Sequence, residues 1–321
     1  MKSIANLHEL IERNLEKLEY PNSPPKLYKP IEYVMGLGGK RMRPILLLMA
    51  HQLFDENIEK AISPALGIEI FHNFTLLHDD IMDKAPIRRG QQTVHEKWNN
   101  NVAILSGDTM LMQAYKLLSD VHNSVLKEVL IVFNKTATQV CEGQQLDMDF
   151  ETDGEVSISD YLKMIECKTA VLLAAALQIG AITANANQKE QNDLYEFGKN
   201  MGIAFQLKDD LLDAFGNSEA FGKLVGGDIL SNKKTYLYLK SLEVADKNQT
   251  IKLKHYFQTK EKSQAKVDAV KTIFIALEIP QLTTDLMQEY HNRAMQHLNA
   301  IDSANKAPLL EFSKKLIDRI S

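Results

Sequence analysis

Cysteine is scarce in this chain, and the two that occur stand alone. Cys141 and Cys167 sit in no CxxC pair and beside no histidine at ligand spacing, which argues against a disulfide framework or a zinc site. Two separate reduced thiols suit a cytoplasmic setting. An excess of positive charge is also missing: 37 Lys and Arg stand against 42 Asp and Glu, a net charge of -5. Nucleic-acid backbones select basic surfaces, so no nucleic-acid partner is expected. Any anionic ligand must instead meet a local basic patch or bound cations. The first twenty residues carry acidic side chains throughout and no apolar segment of the kind a signal peptide has. The longest greasy stretch, Ala170 to Ala184, is interrupted by Gln178 and Gly180. It falls short of the ~20 apolar residues a membrane span needs, so it reads as a buried core helix.

Proline is absent between Pro86 and Pro280, and the intervening segments show helical rather than alternating periodicity. Ile4, Leu7, Ile11, Leu15 and Leu18 predict a first helix. Ser63-Pro64 reads as a helix start, with Ser63 as N-cap and the helix running to about Asp83. Lys84 to Gly90 reads as a loop, and Ala103 to Leu118 as part of a further helix. Ser157, with Asp160 three residues on, predicts another N-terminus. A long helix from about Gln191 ends at Gly216. Lys240 to Lys266 is polar and reads as including a loop. No strand pattern, repeat or linker is visible. The chain therefore predicts an all-α protein, and residues 1–321 are expected to form one domain.

The chemistry concentrates in two matching triplets: Asp79, Asp80 and Asp83 in HDDIMD, and Asp209, Asp210 and Asp213 in KDDLLD. Positions i, i+1 and i+4 lie within about 100° of one helix face. Like charges at that spacing destabilise a helix. A solvated helix end is the bland reading of one such triplet; two copies, each on an apolar helix, call for cations. Hard ions that prefer carboxylate oxygen fit, magnesium on a phosphorylated ligand above all. Basic groups alternate with the triplets: Lys40, Arg41 and Arg43 after a glycine turn, Arg88 and Arg89 after the first triplet, Lys223 and Lys233 after the second. Arginine suits bidentate phosphate contacts and lysine acts as a mobile charge. The P-loop spacing is absent.

The ordered series GGKRMRP (38–44), FHNFTLLHDDIMD (71–83), RRG (88–90), GQQLD (143–147), KT (168–169), GIAFQLKDDLLD (202–213) and GKLVGGDILSNKKTY (222–236) resembles the trans-isoprenyl diphosphate synthases (the polyprenyl synthetase family), short-chain type, including farnesyl and geranylgeranyl diphosphate synthases. The resemblance implies the isoprenoid synthase fold, a bundle of long helices around a central cavity. It implies condensation of isopentenyl diphosphate with an allylic diphosphate (dimethylallyl, geranyl or farnesyl) and a homodimer. About three magnesium ions are implied, two on Asp79 and Asp83 and one on Asp209, with Asp80, Asp210 and Asp213 in support. Arg88, Lys168, Lys223 and Lys233 look like ligands of the allylic diphosphate, and Lys40, Arg43, His72 and Arg89 like ligands of isopentenyl diphosphate. Thr169 and Gln206 match positions whose oxygens face the allylic cation. Phe74, five residues before Asp79, matches the position that limits chain length, with Phe71 beside it. A product of fifteen or twenty carbons is implied, twenty favoured. Where the family often has proline, this chain has Leu237, which leaves that helix boundary open.

Three other readings fit less of the pattern. A terpene cyclase normally lacks a second DDxxD and has no use for Lys40, Arg43 and Arg89. A non-catalytic subunit of a hetero-oligomeric synthase is expected to have lost a triplet. A metal-dependent helical hydrolase is the third.

Overall fold

The computed structural model describes residues 2–152, 155–216, 226–259 and 261–318. Its helices are α1 (Ile4–Glu16), α2 (Pro25–Gly36), α3 (Met42–His51), α4 (Glu59–Met82), α5 (Val94–Lys97), α6 (Asn100–Leu118), α7 (Asn123–Thr152), α8 (Ile158–Ile165), α9 (Val171–Thr183), α10 (Gln188–Phe215), α11 (Gly227–Leu230), α12 (Tyr236–Val244), α13 (Lys247–Gln258), α14 (Gln264–Ala276), α15 (Ile279–Ala300) and α16 (Ala307–Asp318). A π-helical segment, Glu166–Ala170, joins α8 to α9. Among the described residues the strands amount to one antiparallel pair, β1 (Ile87–Arg88) and β2 (Gln91–Gln92), so the all-α expectation holds.

Contacts divide the chain into two compact units. The first comprises residues 1–135, 175–195 and 301–309, and the second 136–174, 196–300 and 310–321. The unit boundaries at 135, 174 and 195 fall inside helices rather than in linkers.

In the first unit α4 is buried around most of its circumference, from Ala61 to Asp80, and it packs along α6. Gly67 permits that approach: a β-carbon there would lie 2.9 Å from the Leu118 side chain and 3.1 Å from the Ala114 carbonyl oxygen. The predicted start at Ser63 is overturned. The helix begins a turn earlier, at Glu59, with Pro64 inside it. The Ser63 hydroxyl donates to the Leu117 carbonyl at 3.1 Å instead of capping, a tertiary bond that local sequence does not announce. The first helix is shorter than predicted: it ends at Glu16, before Leu18, and buries Leu7, Leu10, Ile11 and Leu15. The expected loop after Asp83 contains the β1–β2 hairpin. Its two connecting residues, Arg89 and Gly90, both have positive φ (52° and 76°), as the favoured tight hairpin turn requires.

The second unit buries a core that includes Tyr161, Met164, Ile203, Leu207, Leu211, Leu237, Val267, Val270 and Phe274. Ser157 caps α8 as predicted, with Asp160 completing the reciprocal capping box. The stretch read as polar with a loop is mostly helical, covered by α12, α13 and the start of α14, with non-helical residues at 245–246, 259 and 261–263. The boundary left open at Leu237 falls at Thr235, the N-cap of α12, and Leu237 is buried in the core.

The greasy segment is longer than its sequence suggested. The run Ile158–Thr183 is long and apolar enough to cross a membrane, but 78% of its apolar window is buried inside the protein, as a core helix requires.

Candidate active site

In the first unit the glycine turn before α3 and the middle of α4 enclose a cavity of about 500 Å³, lined among others by Lys40, Arg41, Arg43, Glu69, His72 and Arg89. Four of the basic residues singled out in the sequence thus share one pocket. The Arg43 Nη1 lies 3.0 Å from the His72 Nε2. Burial, then the positive charges of Arg43 and Arg89, hold His72 well below its usual 6.5. The ring is therefore neutral at pH 7, and its Nε2 accepts from Arg43. Burial pushes Arg43 down to about 10, still charged at pH 7, and its buried Nε has no protein partner. Such a cation with an unused donor is suited to an anion. Arg89 donates from Nη1 to the Gly38 carbonyl, and its guanidinium carbon lies 3.1 Å from where a β-carbon on Gly39 would be. With φ at 151°, Gly39 is needed for both its conformation and this approach.

The first triplet sits at the end of α4. Asp83 is the C-cap, exposed, and its backbone N–H donates to the Asp79 carbonyl at 2.8 Å. Asp80 is buried. It accepts Arg88 through Nε at 2.8 and 2.9 Å and through Nη2 at 2.7 Å. Consecutive hairpin residues thus diverge, Arg88 to the triplet and Arg89 to the pocket. Phe74 meets His78 at 4.7 Å and Phe71 at 5.6 Å between ring centres. Phe71, packed against Phe133 at 5.0 Å, is the more deeply buried of the two.

In the second unit the π-helical segment carries Lys168 and Thr169. π-Helical insertions often mark functional positions because they re-aim side chains. The Lys168 Nζ lies 2.5 Å from the Asp147 Oδ2. The Thr169 hydroxyl donates to the Gln206 Oε1 at 3.1 Å, and the Gln206 Nε2 donates to the Asp210 Oδ1 at 3.0 Å. Tyr161 donates its hydroxyl to the other Asp210 oxygen. Burial, reinforced by Asp228, pushes Asp210 up to about 8. Asp213 accepts the Asp228 backbone N–H at 2.9 Å, holding the start of α11, while Asp209 and Lys233 are exposed. Lys223 lies outside the described residues.

Among the described residues no three His, Cys, Asp or Glu side chains form a closed metal cage. The donors suit magnesium all the same, because that ion takes one or two carboxylates and completes its shell with waters and phosphate oxygens. Burial is the main cause of the rise in Asp210, and Asp228 and Asp209 add to it; that added crowding of carboxylate charge is what a divalent cation relieves.

Sequence reasoning assigned no role to Tyr161, Asp147, Asp228 or Glu69. Asp147 and Asp228 lie inside quoted motifs, which was their signal. Tyr161 lacked one beyond its position seven residues before Lys168.

The sequence model of the family described as polyprenyl synthetase matches residues 24–274. A geranylgeranyl diphosphate synthase of Methanosarcina mazei is 41% identical over 242 residues, 75% of each chain. A geranylgeranyl pyrophosphate synthase of Geoglobus acetivorans is 33% identical over 319 residues, 98% of each. Among solved structures, a geranylgeranyl pyrophosphate synthase superposes with a TM-score of 0.95 at 44% identity, covering all of both chains.

Proposed function

The chain belongs to the polyprenyl synthetase family, and from that premise we infer that it is a magnesium-dependent, short-chain trans-prenyl diphosphate synthase. It joins isopentenyl diphosphate to an allylic diphosphate (dimethylallyl, geranyl or farnesyl) and releases an all-trans product, twenty carbons favoured over fifteen. The observation that carries this reading is the pocket in which Lys40, Arg43, His72 and Arg89 converge. A terpene cyclase has no second diphosphate to place there.

The isopentenyl diphosphate occupies that pocket. Arg43 and Arg89 supply planar donor forks, Lys40 a mobile charge, and neutral His72 orients Arg43. The allylic diphosphate takes Arg88, Lys168, Lys223 and Lys233. Asp79, Asp83 and Asp209 would hold magnesium, about three ions in all, and the bound metal would supply positive charge that makes the diphosphate a better leaving group. Asp80 holds Arg88. Asp210, fixed by Tyr161 and Gln206, orients the amide of Gln206, and Asp213 holds the chain ahead of Lys233. When the allylic C–O bond breaks, the oxygens of Thr169 and Gln206 offer partial negative charge to the cation without readily alkylating. The isopentenyl double bond then forms the new C–C bond, and a proton passes to the departing diphosphate.

We further assign residues 1–321 to a single isoprenoid synthase domain, a cytoplasmic location and a homodimer. Ile104, Leu105 and Met112 on α6 and Ile131 on α7 are 42–60% exposed, an apolar surface of the sort a second copy covers. Incubating the purified chain with magnesium, isopentenyl diphosphate and each allylic primer, then sizing the dephosphorylated products, tests the activity. Hydrolysed, cyclised or unreacted primer in place of elongated chains overturns it.

A further inference from the structure

Four cationic side chains line the pocket, but one of them is not turned toward a ligand. Arg41 is buried, its side chain 1% exposed. Its Nε donates to the Glu12 Oε1 of α1 at 2.8 Å, its Nη1 to the Glu69 Oε1 of α4 at 2.8 Å, and its Nη2 to the Met35 carbonyl near the end of α2 at 2.9 Å. Glu69 is itself held, its Oε1 and its carbonyl accepting the Asn73 amide at 3.0 and 2.8 Å. Two carboxylates therefore offset the charge of Arg41, and each of its three guanidinium nitrogens donates a hydrogen bond. Its backbone has φ of 46°, a left-handed conformation that non-glycine residues adopt rarely and that surrounding bonds must hold.

We propose that Arg41 is a positioning residue, acting with Glu69 and Glu12 to set the aim of Lys40 and Arg43 in the isopentenyl diphosphate pocket. Two rungs cross from the start of α3 to one face of α4. Arg41 meets Glu69, and Arg43, two residues on, meets His72, three residues on. The first rung fixes where the second forms. A buried ion pair adds little net stability over an apolar pair of the same shape, so its use here is to select one arrangement of the turn.

The inference rests on the pocket reading above, and the test separates the two. Turnover of the full chain with magnesium is measured for Arg41→Lys, Glu69→Gln, Glu12→Gln and Arg43→Ala, with separate Michaelis constants for both substrates and a melting temperature for each. Misplacing a binding group by about 1 Å can cost on the order of 100-fold. Arg41→Lys and Glu69→Gln are therefore expected to raise the KM for isopentenyl diphosphate ~10-fold or more, with the allylic KM within ~2-fold of its starting value. Glu12→Gln, at a 31% exposed side chain, is expected to act in the same direction more weakly and to remain folded if the buried variants do not. A lowered melting temperature with both constants unchanged makes the network structural only and overturns the inference. So does a tighter isopentenyl diphosphate KM in Glu69→Gln, because an Arg41 freed from its carboxylate would then be binding substrate directly. An unchanged KM in Arg43→Ala overturns the pocket reading itself.

Discussion

Gly143 of α7 lies so close to Lys168 that a β-carbon on it would sit 2.2 Å from the Lys168 backbone nitrogen and 2.7 Å from its α-carbon. Gly202 of α10 meets the other end of the π-helical segment in the same way, 2.5 Å from the Ala170 α-carbon. These two glycines belong to GQQLD and GIAFQLKDD. Their physical role is to let two helices close on the segment that presents Lys168 and Thr169.

Gly143→Ala is accordingly expected to cost turnover as well as stability. Overpacking of a core contact costs about 1–3 kcal/mol, and here relief requires backbone to move, displacing Lys168 and Thr169. The expected outcome is a fall in kcat of ~10-fold or more with a lower melting temperature. Steady-state kinetics beside thermal unfolding check it, and an intact kcat in a destabilised enzyme would separate the packing from the chemistry.

On the proposed function, Asp79→Ala and Asp209→Ala each remove a carboxylate assigned to magnesium on the leaving diphosphate. Turnover is expected to fall by at least ~100-fold to 1,000-fold. Assay across a magnesium titration checks this; near-normal turnover at saturating magnesium contradicts the assignment.

On the proposed assignment the cationic groups divide by substrate. Arg89→Ala is expected to raise chiefly the KM for isopentenyl diphosphate, because its guanidinium packs on the Gly38–Gly39 turn of that pocket. Lys233→Ala is expected to raise chiefly the allylic KM. Separate Michaelis constants decide, and the opposite pattern reverses the two diphosphate sites.

Phe74→Ala is expected to lengthen the product without abolishing catalysis. Phe74 is the outer ring of the pair with Phe71, and its loss opens space toward Phe71 and Phe133. Truncating a buried phenylalanine costs about 3–5 kcal/mol, so the assay belongs well below the melting temperature. Chromatography of dephosphorylated products gives the answer: an unchanged length distribution from an active variant places the floor elsewhere.

Much of this protein is legible in its sequence alone. Periodicity without strand alternation announced the helices, and Ser157 with Asp160 announced a capping box, because these are local effects acting within one or two turns. The two triplets were visible as an expectation of cations, since six carboxylates on apolar helices carry a charge that has to be offset. Tertiary structure decided which residue each charged group answers to. Nothing within HDDIMD indicates that Asp80 is spent on Arg88, or within GGKRMRP that Arg41 is spent on Glu12 and Glu69 while Arg43 stays available in the pocket. Those pairings join residues 8 to 29 positions apart, across turns whose path depends on Gly39, on the left-handed Arg41 and on the Arg89–Gly90 hairpin. The sequence by itself determined the chemistry, because side-chain type sets what a group can bind. Only the fold decided its distribution, because a buried charge is committed to whichever partner packing brings within reach.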